Sequence, residues 1–216
     1  MRPAFVVTGT DTDVGKTVLA AALVAALNGC YWKPVQAGLA GETDAEIVRR
    51  HSDVTAERII PEVYRLTTAA SPHLAAERDG IEIDIERLAK LPDAGGARPL
   101  VIEGAGGLMV PLTRHFLQID LFARWGVPVI LCASTRLGTI NHSLLSIEAL
   151  KRRGIPLLGI AYVGDEQADS ERTISEMGGV RRLGRLPHLD PLDAASLRAA
   201  FDRNFRRTDF LADVPK

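Results

Sequence analysis

The chain has 216 residues, of which 46% are hydrophobic and 25% charged, and this balance excludes a disordered, collagen-like or disulfide-scaffolded protein. The formal net charge of −1 excludes a broad basic surface, so we expect neither nucleic acid nor a membrane among its partners. The N-terminal residues run directly into a short apolar strand without a signal-peptide pattern, which predicts a cytoplasmic protein.

Apolar β-rich runs alternate with longer helical patterns, and no repeat or linker divides the chain, so we expect a single domain over residues 1–216. The alternation predicts an α/β fold with three layers, in which a mostly parallel sheet carries helices on both faces. The predicted strands are Ala4–Thr8, Cys30–Val35, Pro99–Glu103, Pro128–Ala133, Leu157–Val163 and Arg182–Leu186. The predicted helices are Lys16–Leu27, Asp44–His51, Pro72–Ala76, Ile85–Lys90, Gln118–Arg124, Ile140–Arg153, Ser170–Glu176 and Ala194–Asn204.

Two of these helices have recognisable start signals. Thr43-Asp44-Ala45-Glu46 is typical of a capping box, which would place Asp44 at the first helical position. Ser71-Pro72 is typical of a cap followed by a first-turn proline. Cys30 and Cys132 lie in apolar runs and are expected to be buried, reduced thiols.

The first predicted strand leads into a phosphate-binding loop that runs from Gly9 to Thr17 with the sequence GTDTDVGKT. The backbone N–H groups of such a turn, together with the N-terminus of the following helix, bind phosphate. Lys16 is expected to bridge the β- and γ-phosphates, and the Thr17 hydroxyl to bind Mg²⁺. Asp11 and Asp13 within the loop are unusual for a phosphate site and argue against a simple kinase or GTPase.

The second and third strands are followed by charged residues. Because the carboxyl ends of parallel strands meet at one edge of the sheet, Lys33 and Glu103 are expected near the phosphate loop. Lys33 either extends along the surface to solvent or supplies a catalytic cation, and we favour the second interpretation. Glu103, which opens the run Glu-Gly-Ala-Gly-Gly, is predicted to face a metal ion; an incidental glutamate on a glycine turn is the alternative.

The segment Arg136–His142 follows the fourth strand and enters a helix. The free N–H groups at this helix start could hold a carboxylate, although every helix start offers such groups. The five histidines do not show metal-ligand spacing.

Taken together, these segments resemble the dethiobiotin synthetase family, which implies a P-loop NTPase-like fold. The matching pieces lie in family order: Thr8–Thr17, Lys33–Val35, Ser71–His73, Glu103–Gly107 and Leu137–His142. The resemblance implies an ATP- and Mg²⁺-dependent homodimer, a cyclo-ligase that joins CO₂ to 7,8-diaminononanoate and closes the ureido ring of dethiobiotin in biotin biosynthesis. In the family, one amine takes up CO₂ as a carbamate, ATP phosphorylates the carbamate, and the second amine expels phosphate.

The resemblance also implies roles for individual residues. Lys16 and Lys33 would be catalytic, and Thr17, Asp44 and Glu103 would surround Mg²⁺. Nucleotide contacts are implied for Asp13, Val14, Gly15, Lys16, Thr17, Val18, Asp44, Glu103, Gly104, Ala105, Gly106, Pro187, His188 and Leu189. Substrate contacts are implied for Thr12, Ala37, Gly107, Gly138, Thr139 and Asn141. The helix start from Gly138 to Asn141 would hold the substrate's distal carboxylate across the dimer interface.

Two positions depart from the family pattern. Ala37 stands where members often carry serine or threonine, so one side-chain hydrogen bond to the substrate is missing. Val163-Gly164-Asp165 lacks the asparagine with which many members read adenine, so CTP and GTP stay open as alternatives to ATP.

The alternative function is an ATPase switch of the partitioning or septum-site type. Such proteins carry an extra lysine early in the phosphate loop, where this chain has Asp11, and often a C-terminal amphipathic helix, where this chain has the charged segment 201–216. A second alternative, a cobyrinate-amidating enzyme, would need a glutamine-handling domain, for which the chain leaves no length.

Overall fold

A computed structural model describes residues 3–93 and 96–211. The first two residues and residues 212–216, on which the expectations about the N-terminus and the C-terminal segment partly rest, lie outside the described residues. The strands are β1 (Ala4–Gly9), β2 (Cys30–Trp32), β3 (Val35–Ala37), β4 (Ile59–Ile60), β5 (Tyr64–Leu66), β6 (Leu100–Gly107), β7 (Pro111–Thr113), β8 (Phe116–Leu117), β9 (Val129–Ser134), β10 (Leu157–Val163) and β11 (Arg182–Leu186). The helices are α1 (Lys16–Ala26), α2 (Asp44–Ser52), α3 (Pro72–Asp79), α4 (Ile85–Leu88), α5 (Gln118–Trp125), α6 (Thr139–Arg152), α7 (Ala168–Gly178), α8 (Ala194–Asn204) and α9 (Thr208–Leu211), with a 3₁₀ turn at Ala56–Arg58.

A seven-stranded parallel sheet with the order β11-β10-β9-β1-β6-β2-β4 forms the centre of the fold. Strand β1 lies between β6 and β9, and Val6 pairs with Ile102 on one side and with Val129 on the other. The chain therefore leaves β1 at the point where the strand order changes direction. In open α/β sheets, ligands bind at such a point, beyond the carboxyl ends of the strands.

Side-chain alternation along the strands builds one apolar core on each face of the sheet. Phe5 and Val7 pack with α1 on one face, while Val6 and Ile102 pack with α5 and α6 on the other. Since the strands are covered on both sides, they read as nearly continuous apolar runs. The prediction of a three-layer, mostly parallel α/β fold is confirmed.

Two predicted strand boundaries are wrong. The strand predicted over Cys30–Val35 ends at Trp32, and β3 pairs with β5 in a separate small sheet. Pro34, which has no N–H group to donate to a ladder, lies at this break. Strand β6, predicted to end at Glu103 in a glycine turn, continues through the glycines to Gly107.

Both predicted helix starts are confirmed, at Thr43 and at Ser71. Thr43 forms the capping box: its hydroxyl accepts from the Glu46 N–H, and the Glu46 carboxylate accepts from the Thr43 N–H, which fixes Asp44 at the first position of α2. Ser71 is the N-cap residue of α3 as predicted, but its hydroxyl makes no capping hydrogen bond and lies 3.0 Å from His73 Nδ1. Pro72 does begin α3.

The two thiols are buried as predicted, Cys30 and Cys132 being almost completely enclosed. Across residues 3–93 and 96–211, no helix combines the length and apolar character needed to cross a bilayer.

Candidate active site

Four polar side chains converge beside β6, next to the carboxyl end of β2. The Thr17 hydroxyl lies 2.9 Å from Glu103 Oε1 and 3.2 Å from Asp44 Oδ1. The Lys33 ammonium group bonds to Asp44 and lies 3.4 Å from Glu103 Oε1. Two helix starts, the end of β2 and the middle of β6 thus supply one cluster, and the expected proximity of Lys33 and Glu103 to the phosphate loop is confirmed.

Lys33 is buried, with 6% of its surface exposed, and is therefore not a lysine that extends to solvent. Burial alone would lower the pKa of Lys33, but the carboxylates of Glu103 and Asp44 outweigh this effect and raise the pKa above its usual value. Lys33 consequently stays a cation at the sheet edge, beside the carboxylates of Asp44 and Glu103.

Glu103 is 1% exposed and has a further partner that the sequence analysis missed. The Tyr31 hydroxyl donates to Glu103 Oε2 over 2.9 Å. Burial, and after it the neighbouring Glu103 charge, raises the pKa of Tyr31 well above its ordinary value, so the phenol remains a donor. Tyr31 lies in an apolar strand and resembles a core residue, so the sequence contains no signal for this contact.

The phosphate loop has the geometry expected for anion binding. Gly15, directly before α1, has a φ angle of 95°, in the left-handed region that favours glycine. The Lys16 ammonium group donates to the Asp11 carbonyl oxygen over 2.8 Å and so spans the loop. Burial lowers the pKa of Lys16. Behind the loop, burial raises the pKa of Cys132 to about 12, so its thiol remains protonated and apolar.

A cleft of about 400 Å³ opens beside the Lys33 cluster. Thr12 and Ala37, both predicted substrate contacts, line it together with Lys33 and Asp44. Ala105 and Gly106 form part of the opposite wall. The structure therefore brings the catalytic candidates and part of the predicted substrate set to one space.

Gln118, a second residue that the sequence analysis missed, holds the glycine run that forms this wall. Its buried amide accepts from the Ala105 N–H over 2.6 Å and donates to the carbonyl oxygens of Ala105 and Gly107 over 3.1 and 3.2 Å. The space at Gly104 is also closed, because an added Cβ would lie 3.0 Å from the Gln118 amide nitrogen. A lone glutamine in the apolar face of a predicted helix was the available signal.

The loop residues Asp13, Val14 and Gly15 border a second, smaller cleft of about 220 Å³, together with Gly164 and His188. It leads to the side of the sheet where β10 and β11 end. Of the other predicted nucleotide contacts, Val18 and Leu189 pack against the apolar core on the face of the sheet that α1 covers, and Pro187 follows β11.

Gly138, Thr139 and Asn141 line a third cleft of about 790 Å³, to which Asp165 and His188 also contribute. Within one chain, these three residues do not line the cleft beside Lys33. Thr139 does border the small space beside the phosphate loop that also includes Thr12. The Gly138–Asn141 segment and Lys33 therefore line different clefts of one chain.

Within the described ranges, no group of three or more His, Cys, Asp or Glu side chains is arranged to hold a metal ion by itself. The candidate ligands are instead two carboxylates, from Asp44 and Glu103, and the Thr17 hydroxyl, which donates a hydrogen bond to each of them. Such an oxygen set suits an ion that completes its shell with phosphate oxygens and water, as Mg²⁺ does.

Comparison with known proteins agrees with this geometry. The family model described as AAA domain matches residues 3–196. The chain is 62% identical to the ATP-dependent dethiobiotin synthetase BioD of Rhodopseudomonas palustris (strain TIE-1), over 100% of both chains. It is 60% identical to the protein of the same name from Nitrobacter hamburgensis, over 98% of both chains.

Among solved structures, the MinC:MinD cell division protein complex of Aquifex aeolicus is similar with a TM-score of 0.54, at 12% identity over 93% of this chain and 94% of that chain. A likeness at this identity concerns the fold alone and does not extend to the switch function. The full-length identity confirms the resemblance inferred from the motifs: the chain belongs to the dethiobiotin synthetase family.

Proposed function

We propose that the protein is an ATP-dependent cyclo-ligase that closes the ureido ring of dethiobiotin from 7,8-diaminononanoate and CO₂. The observation that carries the proposal is the buried Lys33 ammonium group, which lies between Asp44 and Glu103 at the sheet edge where the phosphate loop ends. A cation held in this position can face an anionic carbamate on one side and a triphosphate on the other.

The nucleotide is held by the phosphate loop. Backbone N–H groups around Gly15 and the start of α1 favour a bound anion, and Lys16 can leave the Asp11 carbonyl to meet the phosphates. The cleft bordered by Gly164 and His188 extends from the loop and suits the ribose and base. Asp165, the residue after Gly164, stands in place of a base-reading amide, and its carboxylate can only accept hydrogen bonds from base amino groups.

Mg²⁺ fits the oxygen set of Thr17, Asp44 and Glu103. When bound there, the ion would neutralise charge on the transferred phosphoryl group. Lys33 contacts the same two carboxylates but offsets only one of their two negative charges, so the cluster favours a further cation.

The reaction consists of three bond changes that these residues can support. An amine nitrogen bonds to the carbon of CO₂ and loses a proton, which gives a carbamate. A carbamate oxygen bonds to the γ-phosphorus while the bond to ADP breaks, and Lys16 and Lys33 offset the negative charge. The second amine then bonds to the carbonyl carbon, phosphate leaves, and a proton is lost as the ring closes.

The walls of the 400 Å³ cleft suit an alkyl diamine. Ala37, Ala69 and Ala70 provide an apolar surface, while Thr12 and Lys33 provide polar groups. Small side chains leave room for the methylene chain, and the polar groups orient its reacting end. The glycine run lies close to the phosphate loop at Gly107, where an added Cβ would be 3.6 Å from the Gly9 carbonyl oxygen.

A homodimer completes this site. The Gly138–Asn141 segment lies at the start of α6 and can bind the distal carboxylate of a substrate held by a second copy. Two apolar side chains near this segment are exposed, Leu137 fully and Leu145 by 59%, and Met177 at the end of α7 is 72% exposed. Exposed apolar groups on neighbouring elements favour a protein partner.

The test is phosphate release by the purified protein with Mg·ATP, bicarbonate and 7,8-diaminononanoate. We expect release only when the diamine is present, and dethiobiotin formed in equal amount. A parallel panel with CTP and GTP determines which base the cleft accepts. Phosphate release that ignores the diamine and rises with lipid vesicles or DNA would instead indicate the ATPase switch.

A further inference from the structure

Tyr31 and Thr17 contact opposite oxygens of one carboxylate. The Tyr31 hydroxyl lies 2.9 Å from Glu103 Oε2, and the Thr17 hydroxyl lies 2.9 Å from Glu103 Oε1. Tyr31 and Glu103 are 0% and 1% exposed, so water does not compete for this hydrogen bond. One oxygen is therefore tied to the protein interior while the other faces the phosphate loop.

Strand register explains why this contact forms. In the parallel ladder between β2 and β6, Tyr31 pairs with Val101. Val101 and Glu103 are two residues apart and point to the same face of the sheet, the face that α1 covers. The tyrosine ring thus lies against this face, with its hydroxyl directed along β6 to the Glu103 carboxylate.

We propose that Tyr31 is a positioning residue that orients the Glu103 carboxylate, so that Oε1 is presented to the metal ion that Thr17, Asp44 and Glu103 would bind. This inference rests on the proposed metal site. A carboxylate that ligates a metal can rotate about its terminal bond, and a hydrogen bond to its second oxygen removes that freedom. Loss of such outer partners commonly weakens metal binding about 10- to 100-fold.

A purely structural role for the hydroxyl would have a different signature. A buried tyrosine hydroxyl needs a partner in any case, so its removal changes the free energy of unfolding wherever it occurs. Only a positioning role predicts that Mg²⁺ affinity changes in the folded protein. The two effects are measured separately.

The test compares two substitutions that each remove one buried hydroxyl. Tyr31→Phe removes the bond to Glu103, whereas the control Tyr162→Phe, on β10, removes a bond to the carbonyl oxygen of Glu171 in α7, outside the cluster. Mg²⁺ is titrated by calorimetry into protein held in excess over ADP. We expect Tyr31→Phe to weaken Mg²⁺ binding about 10-fold or more, and Tyr162→Phe to leave it unchanged.

Two further measurements separate the outcomes. Thermal midpoints without ligand report the structural effect, and Tyr31→Phe keeps the ring that fills the core. Added to Glu103→Gln, Tyr31→Phe should cause no additional loss of Mg²⁺ affinity, because its effect acts through Glu103. If wild type and Tyr31→Phe bind Mg²⁺ equally, the positioning role is overturned and the metal site stands. If the wild type itself binds no Mg²⁺, the proposed metal site fails.

Discussion

The Thr17 hydroxyl lies 2.9 Å from Glu103 Oε1, although the two residues are 86 positions apart in the chain. Thr17 belongs to the first turn of α1, and Glu103 lies on β6, the direct neighbour of β1. Because β1 and β6 are neighbours and the phosphate loop joins the end of β1 to the start of α1, Thr17 lies beside Glu103 in β6. This contact joins the nucleotide-binding part of the site to its acidic part.

Glu103→Ala should abolish turnover. The substitution removes the acceptor of both Thr17 and Tyr31 and leaves Lys33 with Asp44 alone. We expect diamine-dependent phosphate release to fall about 100-fold or more, as for the loss of a metal ligand. The control is Glu86→Ala, which removes an exposed ion pair with Arg124 outside the cluster. Turnover by Glu103→Ala at the wild-type rate would rule out a role for this carboxylate.

Lys33→Met should separate catalysis from nucleotide binding. The change removes the buried cation while Lys16 and the phosphate loop remain, so we expect turnover to be lost and ADP affinity, measured by calorimetry, to be retained. The substitution also leaves Asp44 and Glu103 facing each other without a counter-ion. Breaking such a buried pair costs about 3–5 kcal/mol in the free energy of unfolding, less where a partner is partly exposed, as Asp44 is.

The pH dependence of this stability difference has a definite sign. The folded-state pKa of Lys33 is raised above its usual value, so its stabilising contribution is fully present below the unfolded-state pKa. The contribution is lost only as the pH rises through the higher folded-state pKa. The difference in unfolding free energy between wild type and Lys33→Met should therefore stay constant from about pH 7 to about pH 9. A difference that shrinks within this range would contradict a raised pKa.

Gly15→Ala should weaken nucleotide binding. At φ 95° an alanine is strained, and its Cβ would lie 2.7 Å from Val163 Cγ1. The matched control is Gly126→Ala, at the end of α5, which has φ 63° and no neighbour within 4 Å of the added Cβ. Both variants should lose about 1 kcal/mol of stability from backbone strain. Only Gly15→Ala should lose ADP affinity, and equal losses in both variants would contradict the role of the loop.

The sequence was sufficient to predict the strands β1, β2, β6, β9, β10 and β11 of the central sheet, the helices α1 to α8, and the meeting of Lys33, Glu103 and the phosphate loop. These predictions rest on local patterns and on one general property of parallel sheets, that strand ends share an edge. The break at Pro34 was also foreseeable, since proline cannot donate to a ladder. The small strands β4, β5, β7 and β8 have two or three residues each, too few to show a period.

Tyr31 and Gln118 could not be assigned in the same way. Each contact depends on which residue of a distant strand or loop lies opposite, and this is a matter of register, not of local pattern. The position of Gly138–Asn141 beside a different cleft from Lys33 likewise depends on tertiary placement.

Ala37→Ser should retain turnover. Ala37 is half-buried in the wall of the 400 Å³ cleft, and serine adds one hydroxyl to that wall. We expect kcat to be unchanged and KM for the diamine to be equal or lower, because the hydroxyl offers a hydrogen bond to the substrate. Ala37→Leu is the contrasting variant, since its larger side chain would fill part of the cleft and raise KM. Steady-state kinetics with varied diamine measure both, and an unchanged KM in Ala37→Leu would place the substrate elsewhere.

Leu145→Glu should disrupt the proposed homodimer. Leu145 is 59% exposed on α6, the helix that begins with the Gly138–Asn141 segment, and a charge there would be costly to bury against a second copy. We expect sedimentation velocity to show a dimer for the wild type and a monomer for the variant. The control is Leu211→Glu on α9, which is 47% exposed and should remain dimeric. Because each site would borrow the α6 start of its partner, the monomer should also lose affinity for the diamine, whereas ADP affinity should persist. A monomeric variant with wild-type turnover would show that each chain works alone.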